Sequence, residues 1–141
     1  MKGPDAGLRK LIHSKLSKPD WIWAAVETGA SAAGLPDSHF LHRPTGRTGW
    51  VESKAADHWS VKFQPHQVQF WRLHGPHVRG FVAVKARGAA QTDGLGEALY
   101  LYAGIDADAL DREGLRLQPL LRLVGPARSW DWGQVSAVLT S

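Results

Sequence analysis

The sequence predicts a mixed α/β fold in which helices flank one central mixed β-sheet. Three observations carry that expectation. Leu8, Leu11, Ile12 and Leu16 recur at helical spacing. Residues 81 to 86 and 98 to 103 are short, apolar, strand-like runs on either side of a glycine-bearing loop. Between strand-like segments lies a helical stretch, residues 65 to 74, opened by Pro65 and stopped by Gly75-Pro76.

In chain order, residues 5 to 17 form a short amphipathic helix that ends at Lys18-Pro19. Residues 21 to 26 are aromatic and apolar and make a first strand, and the small residues from Gly29 to Gly34 make a loop. Two further strands, 35 to 42 and 49 to 56, are joined by Pro44-Thr45-Gly46-Arg47, whose proline and glycine supply the backbone angles of a hairpin. After the 65 to 74 helix, the strands 81 to 86 and 98 to 103 pair antiparallel. Asp106 caps a short helix running to Gly114, and Asp131 or Ser129 caps a last one ending near Leu139. The chain has 141 residues, 43% hydrophobic and 21% charged, which fits a single domain over residues 1–141.

There is no cysteine, so the sequence predicts neither a disulfide framework nor a thiolate zinc site. The polar N-terminus and the lack of an apolar run near the ~20 residues of a membrane span lead to the expectation of a soluble, cytoplasmic protein with no membrane partner. The formal charge of +4 is unevenly spread. Residues 43 to 92 hold eight basic and two acidic side chains, whereas residues 93 to 113 hold six acids and one arginine. A basic middle suits a polyanion such as nucleic acid, with Arg43, Arg47, Lys62 and Arg72 as candidate contacts. Charge alone fits a solvated surface equally well.

The chemistry concentrates at Pro36-Asp37 and Glu52-Ser53-Lys54. On a strand, Glu52 and Lys54 project from one face and Ser53 from the other. If the strand carrying Asp37 pairs with this one through the hairpin, its carboxylate joins them. Two adjacent carboxylates call for a cation, and oxygen ligands suit a hard ion such as magnesium or manganese. A lysine beside that ion can position water or offset charge on phosphorus, which is the chemistry of phosphodiester hydrolysis.

These residues resemble the PD-(D/E)XK nuclease superfamily, whose signature is proline-aspartate followed by an acid, any residue and a lysine. Glu27 precedes Asp37 by ten residues, as an upstream acid does in many members, notably small phage-type nucleases and Holliday-junction resolvases. Gln67 falls where many members carry a glutamine on the next helix, and residues 80 to 84 match the strand after it. The similarity spans about residues 20 to 103 and implies a restriction-endonuclease-like core. It implies a Mg2+ site, with Mn2+ as substitute, held by Asp37, Glu52, the Ser53 backbone carbonyl and Glu27. Lys54 and Gln67 then complete a catalytic set. The implied protein is an endonuclease acting on DNA, with branched DNA favoured, working as a homodimer in the cytoplasm of a phage-infected bacterium. After Ala103 no motif matches, so substrate choice is not inherited.

The competing functional class is a catalytically weak nucleic-acid-binding subunit of a recombination or packaging complex. A basic scaffold is the third, and it leaves the placement of Asp37, Glu52 and Lys54 to accident. Taken alone, Glu52 and Lys54 read equally well as an exposed cross-strand ion pair. The seven histidines do not read as a zinc site, because His39 and His42 point to opposite faces and Gly75-Pro76 separates His74 from His77. Of the seven tryptophans, six read as core or capping residues, while Trp59 lies in a turn where its ring could meet a distorted substrate.

Overall fold

A computed structural model describes residues 4–26 and 34–141, with the side chains of the first helix described from residue 7. In chain order it contains α1 (Pro4–Lys15), β1 (Trp21–Ala25), β2 (Ser38–His42), β3 (Arg47–Ala56), α2 (Pro65–His74), β4 (Gly80–Ala86), β5 (Ala98–Ala103), α3 (Ala107–Glu113), β6 (Leu121–Val124) and α4 (Trp132–Thr140). The six strands form one sheet in sequential order, antiparallel at every step except β3 to β4. A tight turn cannot join parallel neighbours, so α2 serves as the crossover between them. The mixed α/β class read from the sequence is the one adopted.

Burial explains the strand sequences. In β4, Phe81 and Ala83 face one layer of helices while Val82 and Val84 face the other, so a run of apolar residues replaces alternation. On the first face, Leu8 and Ile12 of α1 and Val135 and Leu139 of α4 pack over Val51, Phe81, Leu99 and Leu101. On the second face, Trp71 of α2 and Ala107 and Leu110 of α3 pack over Val82, Val84, Tyr100 and Tyr102. The result is three layers, with helix pairs α1/α4 and α2/α3 on opposite sides. Among the described residues, no helix is long and apolar enough to cross a membrane.

Three details differ from the sequence expectation. Strand β2 begins at Ser38 rather than at residue 35, because Pro36 has no N–H to give a ladder and Gly34 turns the chain at a positive φ of 92°. Asp106 precedes α3 without a capping side-chain hydrogen bond, and the 3-10 turn Gly104–Asp106 leads the chain into that helix. Strand β6 was not anticipated, being four residues long at the sheet edge. At the other end Asp131, not Ser129, caps α4: its Oδ1 accepts from Gly133 N at 3.0 Å and Gln134 N at 3.3 Å.

Trp71 pins the second face. Its six-membered ring lies against the Cα positions of Gly80 and Gly104, and a methyl group at either one would overlap it. Gly104→Ala should therefore cost about 1–3 kcal/mol through overpacking. Gly7, inside α1 with open space around it, gives the opposite sign, since Gly7→Ala should gain about 0.5–1 kcal/mol from helix propensity. Urea unfolding of both variants checks the pair, and a neutral Gly104→Ala would mean that Trp71 does not pack as described.

Candidate active site

Strand alternation puts Trp50, Glu52, Lys54 and Ala56 of β3 on the face covered by α2 and α3. Glu52 and Lys54 retain only 3% and 9% of their surface. An exposed pair would contribute ~0–1 kcal/mol and need no further explanation. This pair is buried, where the desolvation of both charges offsets their attraction and apolar residues of similar volume would serve stability as well. Its burial marks the pair as a candidate site.

The helix completes the arrangement. Gln67 sits in the first turn of α2, where Pro65 supplies the fixed φ of a helix start. Its Oε1 accepts from Lys54 Nζ at 2.7 Å and from Gln64 N at 2.9 Å, and its Nε2 donates to Glu52 Oε2 at 3.3 Å. A single amide thus presents oxygen to the ammonium and NH2 to the carboxylate. The Lys54–Glu52 separation of 4.0 Å is held by a third party rather than by direct contact alone. Phe63 lies under the ammonium, its ring centroid 4.9 Å from Nζ.

Asp37 reaches the same place from the mouth of β2. The β2–β3 ladder stops at Ser38↔Val51, whereas β3 continues to Ala56. Trp50 N donates toward β4, to Arg79 O at 2.9 Å, so by alternation the Ser53 backbone points to the β2 side, past the end of that strand. There the Ser53 N–H donates to Asp37 Oδ2 at 2.9 Å. A strand residue's C=O points the same way as its N–H, so the Ser53 carbonyl also faces the side on which the Asp37 carboxylate sits. Two further contacts hold this approach. Asp37 O accepts from Val26 N at 2.8 Å, and Gly34 packs so closely on the His66 carbonyl of α2 that a Cβ there would lie 2.6 Å from it.

Nothing in the sequence pointed to His13 or Ser38. Ser38 Oγ donates to Asp37 Oδ1 at 3.2 Å and in turn accepts from His13 Nε2 at 2.9 Å, linking α1 to the acid. His13 stacks on Trp23 with ring centroids 4.5 Å apart. No spacing rule joins residues 25 apart on different elements, so only the fold reveals this chain. Glu27 lies outside the described residues.

Asp37, Glu52, Lys54 and Gln67 are therefore brought together. The proposed nucleic-acid contacts are not gathered with them. Arg43 and Arg47 are exposed at the far end of the β2–β3 hairpin, and Arg47 is about 17 Å along the strand from Glu52. Arg72 pairs with Asp108 of α3 at 3.2 Å. Lys62 is exposed in the segment between β3 and α2. His39 and His42 do lie on opposite faces, against Trp50 and Trp21 respectively. Trp59 is stacked under the Arg116 guanidinium, 4.7 Å from its centroid, and its carbonyl is tied to Leu115 N.

The donor chemistry suits a hard divalent ion: Asp37 is held on the Ser53 N–H at the start of β2, and Glu52 and the Ser53 carbonyl belong to the middle of β3, all of them oxygen donors. Among the described residues no three His, Cys, Asp or Glu side chains form a group that could hold a metal ion. An ion bound there would act as a Lewis acid toward phosphoryl oxygen.

Burial, and then the nearby Arg9, hold the His13 pKa below its ordinary 6.5. The fold thus favours neutral imidazole, the unfolded chain takes up the proton first, and the stability this favours is lost as pH falls from 6.5 through the folded value. His13→Gln should flatten that acid decline while keeping a donor toward Ser38. Urea unfolding at about pH 7.5 and about pH 5 reads the effect; equal slopes in both proteins would show that His13 does not titrate differently on folding.

Comparison of the chain with models of known families, with curated proteins and with solved structures finds no match.

Proposed function

We propose that this chain is a metal-dependent endonuclease that hydrolyses DNA phosphodiester bonds. The observation that carries the reading is the Gln67 amide joining Lys54 to Glu52, beside an Asp37 carboxylate anchored on the intervening Ser53 N–H. Three residues of the proline-aspartate and Glu-x-Lys pattern, Asp37 just before β2 and Glu52 and Lys54 of β3, stand with Gln67 of α2. Helix α2 follows the strand of Lys54 and β4 follows α2, the order in which the resemblance reads residues 52 to 84.

Asp37, Glu52 and the Ser53 carbonyl are the groups that would hold Mg2+ or Mn2+, which would supply charge neutralisation at the phosphoryl oxygens. The chain's own part is positional and electrostatic. Lys54 Nζ faces the phosphate, where it orients the attacking water and offsets charge growing on oxygen. Gln67 fixes where that Nζ sits. Water adds to phosphorus as the bond to the leaving 3′ oxygen breaks, giving 5′-phosphate and 3′-hydroxyl ends. We read the substrate as branched DNA such as a four-way junction, cut by a homodimer with one site per strand, as the resemblance implies.

Nicking of plasmid and of four-way junctions should require magnesium or manganese. Glu52→Ala and Lys54→Ala should each reduce kcat roughly a hundred- to a thousandfold. Gln67→Ala, which acts through Lys54, should cost about 10–100-fold. Salt-sensitive DNA binding without metal-dependent cutting would replace this reading with the binding-subunit alternative.

A further inference from the structure

We propose that the cleft formed by His39, Thr48, Trp50 and His77 is a nucleotide subsite that seats the DNA residue next to the phosphodiester being cut. It rests on the nuclease reading of the adjoining site. The phosphate of that residue is taken by the two imidazoles and the Thr48 hydroxyl, and its base or sugar by the Trp50 indole.

The strand register makes this placement. His39 and Trp50 are direct partners across β2 and β3. Asp37 precedes His39 by two residues, and Glu52 follows Trp50 by two. In a pleated sheet that spacing returns Trp50 and Glu52 to the same face, so the His39/Trp50 rung lies about 7 Å along β3 from Glu52. That step is comparable to the advance between successive phosphates along a DNA strand. Thr48 lies one rung further on the same face, and His77 comes from the 3-10 turn Gly75–His77 that follows α2. Together with the Gly49 and Arg79 regions these residues enclose a cleft of about 230 Å³.

The side chains suit a nucleotide. Trp50 is half-buried and braced by rings on two elements: His39 meets it at 4.6 Å and 64°, and Phe70 of α2 at 6.2 Å and 66°. A ring held this way offers its surface to a base with little further ordering. His77 is exposed and His39 half-buried, and each imidazole can donate to a phosphate oxygen. Arg79, though at the cleft, is otherwise engaged, since its Nη2 donates to Leu139 O at 2.8 Å on the opposite side of the sheet. The polar groups facing the cleft are thus compact donors rather than long cations, which fits a single phosphate held close to the sheet.

The test measures binding and cutting separately on one fluorescein-labelled four-way junction, by anisotropy in EDTA and by cleavage in magnesium. His77→Ala and Trp50→Ala should each weaken binding and raise KM about tenfold with little change in kcat, and Trp50→Phe should recover most of the loss. His77→Ala, an exposed turn substitution, should melt like the parent protein. If cutting depends on Glu52 while His77→Ala and Trp50→Ala bind and cut like the parent, the subsite falls and the nuclease reading stands. If those variants lose DNA binding but no variant or parent cuts, the cleft stands as a DNA contact and the nuclease reading falls. Failure of the parent protein to bind the junction at all overturns the subsite outright.

Discussion

The backbone of Ser53 needs a partner on the β2 side of the sheet, and β2 ends too soon to provide one. A buried N–H without an acceptor costs about 1–3 kcal/mol, so the fold must supply oxygen at that point. It supplies the carboxylate of Asp37. The length mismatch between five-residue β2 and ten-residue β3 thereby converts a gap in the ladder into an acid held against the sheet, with Glu52 and Lys54 on either side of Ser53 along β3. The rest of the site follows from satisfying that overhang.

Burying Glu52 and Lys54 creates the second demand. Neither charge is tolerated in an apolar layer without hydrogen bonds and a counter-charge close by. The crossover from β3 to β4 answers it, because a parallel pairing forces a helix onto the same face, and the first turn of that helix carries Gln67. Its amide reaches both ions. Trp71, one turn beyond on α2, then fixes the helix height by lying on Gly80 and Gly104, so the position of Gln67 over β3 depends on two glycines remote from the charges. Stability and site geometry are coupled through a single ring.

The basic middle of the chain is less basic in the fold than its run of sequence suggests. Arg72, Lys85 and Arg87 are matched to Asp108, Glu97 and Asp57, so three of the eight cations in the basic middle are drawn into ion pairs with carboxylates on neighbouring elements. Two of these acids belong to the acidic stretch from 93 to 113, which folds back onto the basic one. Linear charge blocks therefore exaggerate the field presented to a polyanion, and on the proposed reading recognition near the site falls to compact donors such as the imidazoles at the Trp50 cleft.

The sequence alone settled the local matters. Period-two and period-3.6 patterns, proline at a helix start, and glycine-proline at its end sufficed to outline α2, β4, β5 and the hairpin between β2 and β3, because each is decided by neighbours in the chain. The shared face of Glu52 and Lys54 was legible for the same reason. It could not foresee β6, whose four residues pair only because β5 offers an open edge, nor where β2 would begin. Tertiary structure alone decided that Gln67 bridges two ions, that His13 reaches Asp37 through Ser38, and that His39 and Trp50 form a rung near Glu52. Those contacts join residues far apart in sequence, and strand register and helix height, which set them, are properties of the packed sheet and not of any segment within it.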